Sequence, residues 1–165
     1  MSKIRVFTCF DLEHDRDLYE LLLAQSLGPA SGFEIVGCSS ARGSSDLRDD
    51  ALRASLERVD EVIVICGVHT SESMRVSAEL GIVQEEECPY FLLWGRRELM
   101  CTKPISAKND DGIYSWTPQI LADQLVVTMR RGNWQDGAAN MRRPAAVRRP
   151  SPAPAAASAD AARRT

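Results

Sequence analysis

Short apolar runs alternate along the chain with longer segments in which apolar residues recur every three to four positions. The short runs are rich in β-branched residues, as is typical of strands buried on both faces, and the longer segments are typical of helices with one apolar face. Five strands are predicted, at residues 3–10, 33–38, 62–66, 89–95 and 112–115. Helices are predicted at residues 11–27 and 117–132, and two more helices carry the apolar stripes Leu52, Leu56, Val59 and Val76, Leu80, Val83.

The order of these elements predicts the class of fold. Strand and helix alternate along the chain, which favours a three-layer α/β domain with a five-stranded parallel sheet and right-handed crossovers. After Gly132 the composition changes to Ala, Pro, Ser and Arg, and no apolar periodicity remains. We therefore predict one domain at residues 1–132 and a disordered C-terminal tail at residues 133–165.

The predicted domain and the predicted tail differ in charge. Six arginines and two aspartates give the tail a charge of +4, which leaves −7 on residues 1–132 of a chain whose net charge is −3. A basic tail is able to contact nucleic acid or an acidic partner. At this length and charge density, however, a plain linker is favoured over a nucleic-acid partner.

Several classes of protein are disfavoured by the sequence. No apolar run approaches the roughly 20 residues that span a bilayer, and the N-terminus lacks the apolar segment of a signal peptide. The five cysteines are scattered, without the paired spacing of a zinc site, as expected of free thiols in a reducing compartment. We therefore expect a cytoplasmic protein with no membrane partner and no bound metal.

Three kinds of site common in α/β domains are also disfavoured. No GxGxxG follows the first strand and no GxxxxGK[ST] occurs, which argues against a dinucleotide-binding Rossmann site and a P-loop. A phosphoacceptor receiver domain needs an aspartate at the end of the third strand, where this chain has Cys66. A nucleophilic Cys66–His69 pair is disfavoured because no neighbour that would lower the thiol pKa is evident. His69 is better explained as a turn residue that lines the site.

The strongest candidate for chemistry is Glu79, which lies within the apolar stripe of the helix predicted after the third strand. Ligands of open α/β sheets bind at the carboxyl ends of the strands, which here carry Phe10 and Asp11 after the first strand and Ser39 and Ser40 after the second. A carboxylate among them is able to stabilise the oxocarbenium-like transition state of N-glycosidic bond cleavage. A partly exposed glutamate at the margin of the stripe is the alternative, and spacing alone leaves it open.

Segments of the chain resemble one known family. They are residues 5–10, residues 33–36 and, above all, residues 67–80, in which a strand ends in Gly-x-x-Thr before a Val-x-x-Glu-Leu helix. Over residues 3–131 the chain resembles the TIR-like domain family that includes the ThsB proteins of Thoeris antiphage systems. The resemblance implies a flavodoxin-like TIR fold. It also implies cleavage of NAD⁺, as a substrate and not as a cofactor, to make a cyclic ADP-ribose signal that activates a separate effector protein.

The resemblance assigns roles to particular residues. Glu79 matches the catalytic glutamate of the family. Phe10 and Asp11 match the strand end that lines the nucleotide pocket. Ser39 and Ser40 begin the loop equivalent to the one that gates this pocket. Enzymes of this family often complete the site through contacts between TIR domains, so self-association is also expected.

Two positions depart from the family pattern. Arg75 stands where a tryptophan commonly precedes the valine, and Cys9 replaces the usual serine before Phe10. Either departure is compatible with an altered substrate or with a domain that binds without turnover. As a cation near Glu79, Arg75 is also expected to oppose the rise in pKa that burial causes in a carboxyl.

Two alternatives to an NAD⁺-cleaving enzyme remain open. Residues 78–81, Ala-Glu-Leu-Gly, followed by Pro-Tyr-Phe at residues 89–91, are similar to the pattern of nucleoside 2-deoxyribosyltransferases. That family uses a glutamate nucleophile on a related fold, so Glu79 would keep its role and the substrate would be a nucleoside. The other alternative is a TIR-like signalling module that binds partner domains and catalyses nothing.

Overall fold

The predicted elements form in the computed structural model of the protein, which describes residues 2–135, with side chains described to residue 127. The strands are β1 (Ile4–Cys9), β2 (Phe33–Cys38), β3 (Glu61–Cys66), β4 (Tyr90–Trp94) and β5 (Ile113–Ser115). The helices of this range are α1 (Arg16–Ser26), α2 (Ser45–Leu56), α3 (Met74–Glu85) and α4 (Pro118–Gln135). A short 3₁₀ helix, Thr70–Glu72, precedes α3.

All five strands are parallel, and their order across the sheet is β2-β1-β3-β4-β5. The predicted α/β fold with a five-stranded parallel sheet is therefore confirmed, and the strand order is the flavodoxin-like one. The chain changes direction across the sheet between β1 and β3. In folds of this type the reversal opens a crevice at the carboxyl ends of these two strands, where ligands bind.

Helices cover both faces of the sheet and divide the core in two. On one face α2 and α3 pack against alternate residues of the strands, and the main contributors are Cys9, Leu52, Leu56, Val62, Val64, Val76, Leu80, Val83 and Leu92. On the other face α1 and α4 pack against the remaining alternate residues, chiefly Val6, Leu18, Leu22, Ile63, Ile65, Leu93, Leu121 and Leu125. All residues of β3 are buried, as its unbroken apolar run predicts for a central strand.

Hydroxyl side chains begin three of the described helices. In each case the hydroxyl oxygen accepts the backbone N–H of the residue three positions further on. The capping residues are Ser44 for α2, Ser73 for α3 and Thr117 for α4, with N···O distances of 3.4, 3.3 and 3.1 Å. Because Ser73 caps α3, the register of that helix, and with it the position of Glu79, is set from its first turn.

The first helix begins later than predicted. The acidic run from Asp11 was expected to form its first turn, but α1 begins at Arg16. Residues 11–15 form a turn instead, in which the Asp11 carboxylate accepts the N–H of Glu13 and the Asp11 carbonyl accepts the N–H of Asp15, both at 2.9 Å. Short acidic side chains satisfy backbone donors locally and so compete with helix formation. The helix prediction is therefore wrong for residues 11–15.

The last helix runs three residues past its predicted end. The sequence places its end at Gly132, and α4 continues to Gln135. Glycine weakens a helix interior by only about 1 kcal/mol, so Gly132 need not end the helix. Residues 136–165 of the predicted tail lie outside the described residues.

The segment between β4 and β5, residues 95–112, folds back over the end of β3. The Thr102 N–H donates to the Gly67 carbonyl at 2.9 Å, and the Thr102 hydroxyl oxygen accepts the N–H of Ser71 at 2.9 Å. These bonds hold the turn after β3 in place. None of the helices described is both long and apolar enough to cross a membrane.

Candidate functional site

The carboxyl ends of β1 and β3 lie side by side, and α3 packs next to β1. The apolar stripe of α3, which includes Val76 and Leu80, is fully buried against the sheet. This packing brings Glu79 beside Cys9, the last residue of β1. The helix therefore places a carboxylate at the edge of the sheet where the fold opens its crevice.

Glu79 is held at both carboxylate oxygens. The Ser39 hydroxyl donates to Glu79 Oε2 at 2.5 Å, and Arg75 Nε donates to Glu79 Oε1 at 3.3 Å. The Ser39 oxygen in turn accepts the backbone N–H of Phe10 at 3.2 Å. With 12% of its side chain exposed, Glu79 is largely buried and does not lie at an exposed margin of the helix.

Burial and hydrogen bonding act on the Glu79 pKa in opposite directions. Loss of water contact raises the pKa of this carboxyl above its usual value, and the Ser39 hydroxyl and the Arg75 charge only partly oppose the rise. Burial, together with the Glu79 charge, raises the pKa of the Cys9 thiol well above its usual value, so that the thiol stays neutral. Because the thiol stays neutral, the carboxylate is the candidate reactive group of this cluster.

Arg75 approaches Glu79 from the preceding turn of α3. Its side chain is 24% exposed, and its Nη2 atom is buried without a hydrogen-bond partner among the described residues. The Nε atom of the guanidinium donates its hydrogen bond to Glu79. The predicted cation beside the carboxylate is present. Its position fits a role in holding the Glu79 side chain in place and in favouring its ionised form.

Two of the predicted site residues lie differently with respect to Glu79. The ring of Phe10 belongs to the core of the α1 face, where it stacks on Tyr19 with ring centroids 4.7 Å apart, and only its backbone N–H takes part in the site. Ser40 is exposed, and its hydroxyl accepts the N–H of Arg42 at 3.2 Å. Ser39 is therefore bonded to Glu79, whereas its neighbour Ser40 is exposed.

Asp11 and His69 belong to a second group of side chains. The Asp11 carboxylate lies 2.9 Å from His14 Nδ1, and the His14 ring stacks on the His69 ring with centroids 4.2 Å apart. His69 Nδ1 lies 3.3 Å from the Glu72 carboxylate. We call these four residues the imidazole cluster. It joins the turn after β1 to the turn after β3.

The structure adds residues that the sequence did not single out. Arg96, just after β4, donates to the carboxylates of Asp15 and Asp17 at 3.2 and 2.9 Å and to the carbonyl of His14 at 2.8 Å. Nothing in the sequence pairs Arg96 with residues about 80 positions earlier. The sequence places Asp15 inside the helix predicted at residues 11–27, and nothing in that pattern indicates a buried ion pair.

The arrangement offers carboxylate chemistry at Glu79. Among the described residues, no three His, Cys, Asp or Glu side chains form a group that could hold a metal ion. Glu79 is a fixed and largely buried carboxylate, which in low-dielectric surroundings stabilises a positive charge strongly. Such a group suits a reaction in which positive charge develops on a carbon atom of the substrate.

Comparison with known proteins identifies no family. The sequence matches no model of a known protein family, and it matches no curated protein. The resemblance to TIR-like domains therefore stays a prediction.

Proposed function

We propose that this protein cleaves the N-glycosidic bond between nicotinamide and ribose in NAD⁺, with Glu79 as the catalytic carboxylate. The observation that carries the proposal is the position of Glu79, largely buried and held by Ser39 and Arg75 at the end of β1. Cleavage of this bond leaves positive charge on the ribosyl carbon and releases a neutral base. A fixed carboxylate beside that carbon stabilises the charge as it develops.

The surroundings of Glu79 support this role. A carboxylate that stabilises a cation has to be ionised, and burial alone would favour its protonated form. Ser39 donates a hydrogen bond to the carboxylate and Arg75 brings a positive charge to it, and both favour the ionised form. The two residues are therefore positioning residues that keep Glu79 in the state the reaction needs.

Attack on the ribosyl carbon by water, which loses a proton, gives linear ADP-ribose, and attack by a nucleophilic atom of the same nucleotide gives a cyclic product. In this proposal that product acts as a signal on a separate effector protein in antiphage defence. The reaction takes place in the cytoplasm, and contacts between copies of the domain complete the site. These parts of the proposal rest on the resemblance to TIR-like domains. The carboxylate chemistry rests on the geometry around Glu79.

The test is turnover by the purified full-length protein and its Glu79→Gln variant. Gln keeps the shape of Glu and loses its charge, so we expect nicotinamide release from NAD⁺ to slow by at least ~100-fold, in line with the ~2.7–4 kcal/mol lost with one electrostatic stabiliser. Glu85→Gln is the matched control, because Glu85 lies on the same helix, is 65% exposed and contacts Arg53. The control should turn over at the wild-type rate.

Other outcomes decide between the alternatives. Wild-type turnover by Glu79→Gln would make the carboxylate structural and the proposal wrong. Release of the base from deoxynucleosides, with NAD⁺ left intact, would favour a nucleoside 2-deoxyribosyltransferase with Glu79 as the nucleophile. If the wild-type protein consumed neither substrate, the non-catalytic signalling module would replace both enzymes.

A further inference from the structure

The imidazole cluster joins the two turns that flank the crevice. His14 lies in the turn between β1 and α1, and His69 lies in the turn after β3. Since β1 and β3 are neighbours in the sheet, the face-to-face contact of the two rings, 4.2 Å between centroids with planes inclined by 28°, connects the two walls of the crevice. Each side chain is 44% exposed, so both rings are open to protons from the solvent.

Each ring has its Nδ1 atom beside a carboxylate. The Asp11 carboxylate is 11% exposed and lies 2.9 Å from His14, whereas the Glu72 carboxylate is 75% exposed and lies 3.3 Å from His69. Water screens the second pair much more than the first. The hydrogen bond that His14 Nδ1 donates to the Asp11 carboxylate, supported by the charges of Glu13 and Asp15, raises the pKa of His14 above its usual value. The carboxylate beside His14 therefore acts on its ring through a less screened contact than the carboxylate beside His69.

The charge state of the pair decides whether the stack is stable. One imidazolium ring over one neutral ring is an attractive arrangement, because a cation is drawn to the face of an aromatic ring. Two imidazolium rings at this distance repel each other, and the exposed Glu72 compensates only weakly for the second charge. The second proton thus acts against the contact that joins the two turns.

We propose that the His14–His69 stack is a proton-operated latch, closed while the pair carries one proton and opened when it takes up a second. Opening releases the two histidine rings from each other beside the crevice, while Asp15 and Thr102 continue to hold the turn after β3. The proposal concerns the conformation of these turns and holds whether or not Glu79 is catalytic.

Other charged groups face the two histidines, and the test has to distinguish their effects from those of the histidines. Glu13 and Asp15 lie on the same turn as His14, and Arg96, from the end of β4, donates to the His14 carbonyl at 2.8 Å. Asp17 shares Arg96 with Asp15. Asp15 is the main competitor, because burial raises its pKa and its protonation would weaken the Arg96 contact. Asp15→Asn is therefore a necessary control.

Nuclear magnetic resonance tests the latch directly, because the chain contains only two histidines and each ring proton signal is identified by deleting the other. In the wild-type protein, titrated from pH 8 to pH 5, we expect the two ring signals to follow two steps separated by more than about one pH unit. The backbone amide signals of Gly67 and Val68 should move with the second step. In His69→Phe and in His14→Phe, which keep a ring and remove one charge, these amide signals should stay at their pH 8 positions.

Three results would overturn the latch. The first is a wild-type titration in which both rings follow one step and the turn amides do not move. The second is the same movement of the turn amides in His69→Phe as in the wild type. The third is loss of the movement in Asp15→Asn, which would make Asp15 the proton-sensitive group. Wild-type movement that persists in Asp15→Asn and disappears in both phenylalanine variants supports the latch.

Discussion

Two buried carboxylates lie at the carboxyl edge of the sheet, one on each face. Glu79 belongs to α3 and is 12% exposed, and Asp15 precedes α1 and is 1% exposed. Each has an arginine partner, Arg75 for Glu79 and Arg96 for Asp15, and burial raises the pKa of both. By charge, burial and partner the two groups are nearly alike.

They differ in what surrounds the carboxylate. Both oxygens of Glu79 are held by side chains, and one of those side chains, Ser39, begins a loop whose next residue is exposed. Asp15 bonds Arg96 through Oδ1, and its Oδ2 has no hydrogen-bond partner among the described residues. It is packed so closely on Gly67 that a Cβ atom there would lie 2.4 Å from both carboxylate oxygens.

The comparison shows that neither burial nor a raised pKa identifies a reactive carboxylate. Asp15 has no space beside it for a ligand, so its role is to join α1, the turn after β3 and, through Arg96, the end of β4. Glu79 keeps 12% of its side chain exposed, and Ser39, whose hydroxyl bonds it, is followed by the exposed Ser40. Access to the carboxylate distinguishes a structural pair from a candidate catalytic one.

The largest expected effect comes from removing the arginine of each pair. Arg96→Met leaves the Asp15 charge buried without a cation, so we expect the free energy of unfolding to fall by about 3–5 kcal/mol. Arg75→Met should cost about 1–2 kcal/mol, because Glu79 keeps the Ser39 hydrogen bond. Urea denaturation of both variants at pH 7 measures the difference. Equal losses in the free energy of unfolding would show that the two arginines contribute equally to stability.

A second effect, of intermediate size, is the pH dependence of stability. A carboxyl whose pKa is higher in the folded than in the unfolded state binds its proton more tightly when folded, so it lowers stability as pH rises from the unfolded value of about 4 through the folded value. Between pH 4 and pH 7 we therefore expect the free energy of unfolding of Asp15→Asn and Glu79→Gln to rise relative to that of the wild type. The expected rise is about 1.4 kcal/mol for each unit by which folding raises the pKa.

Urea denaturation at pH 4, 5.5 and 7 checks this expectation, with Glu85→Gln as the control for an exposed glutamate. If the difference in free energy of unfolding between variant and wild type did not change with pH, the carboxyl would have the same pKa in the folded and the unfolded state. A difference that moves in favour of the wild type with rising pH would mean that the arginine outweighs burial and lowers the pKa.

The smallest expected effect separates the two partners of Arg96. Asp17 is 63% exposed and lies 2.9 Å from Arg96, which lowers its pKa. Exposed pairs contribute little, so Asp17→Asn should cost at most about 1 kcal/mol at pH 7. The lowered pKa places this contribution above the unfolded value of about 4 and removes it in stronger acid. A loss as large as that of Arg96→Met would make Asp17, and not Asp15, the main partner of Arg96.

Local patterns in the sequence were sufficient for the elements and for one site residue. The β-branched run at residues 62–65 predicts a strand buried on both faces, and β3 is buried throughout. The spacing of Val76 and Leu80 predicts the buried face of α3 and places Glu79 beside it. These properties follow from hydrophobic burial. Buried positions recur with the period of each element, so they are visible as a periodic pattern in the sequence.

The partners that are distant in sequence from the buried charges were decided by the tertiary structure alone. Ser39 and Glu79 are 40 positions apart, Asp15 and Arg96 are 81 apart, and the two histidines come from different turns. A hydrogen bond or a ring stack joins single atoms or rings, so it leaves no repeat in the sequence that a reader could detect. The ends of β1, β2, β3 and β4 meet at one edge of the sheet, and their arrangement determines how exposed each carboxylate is. Only the folded chain fixes this arrangement.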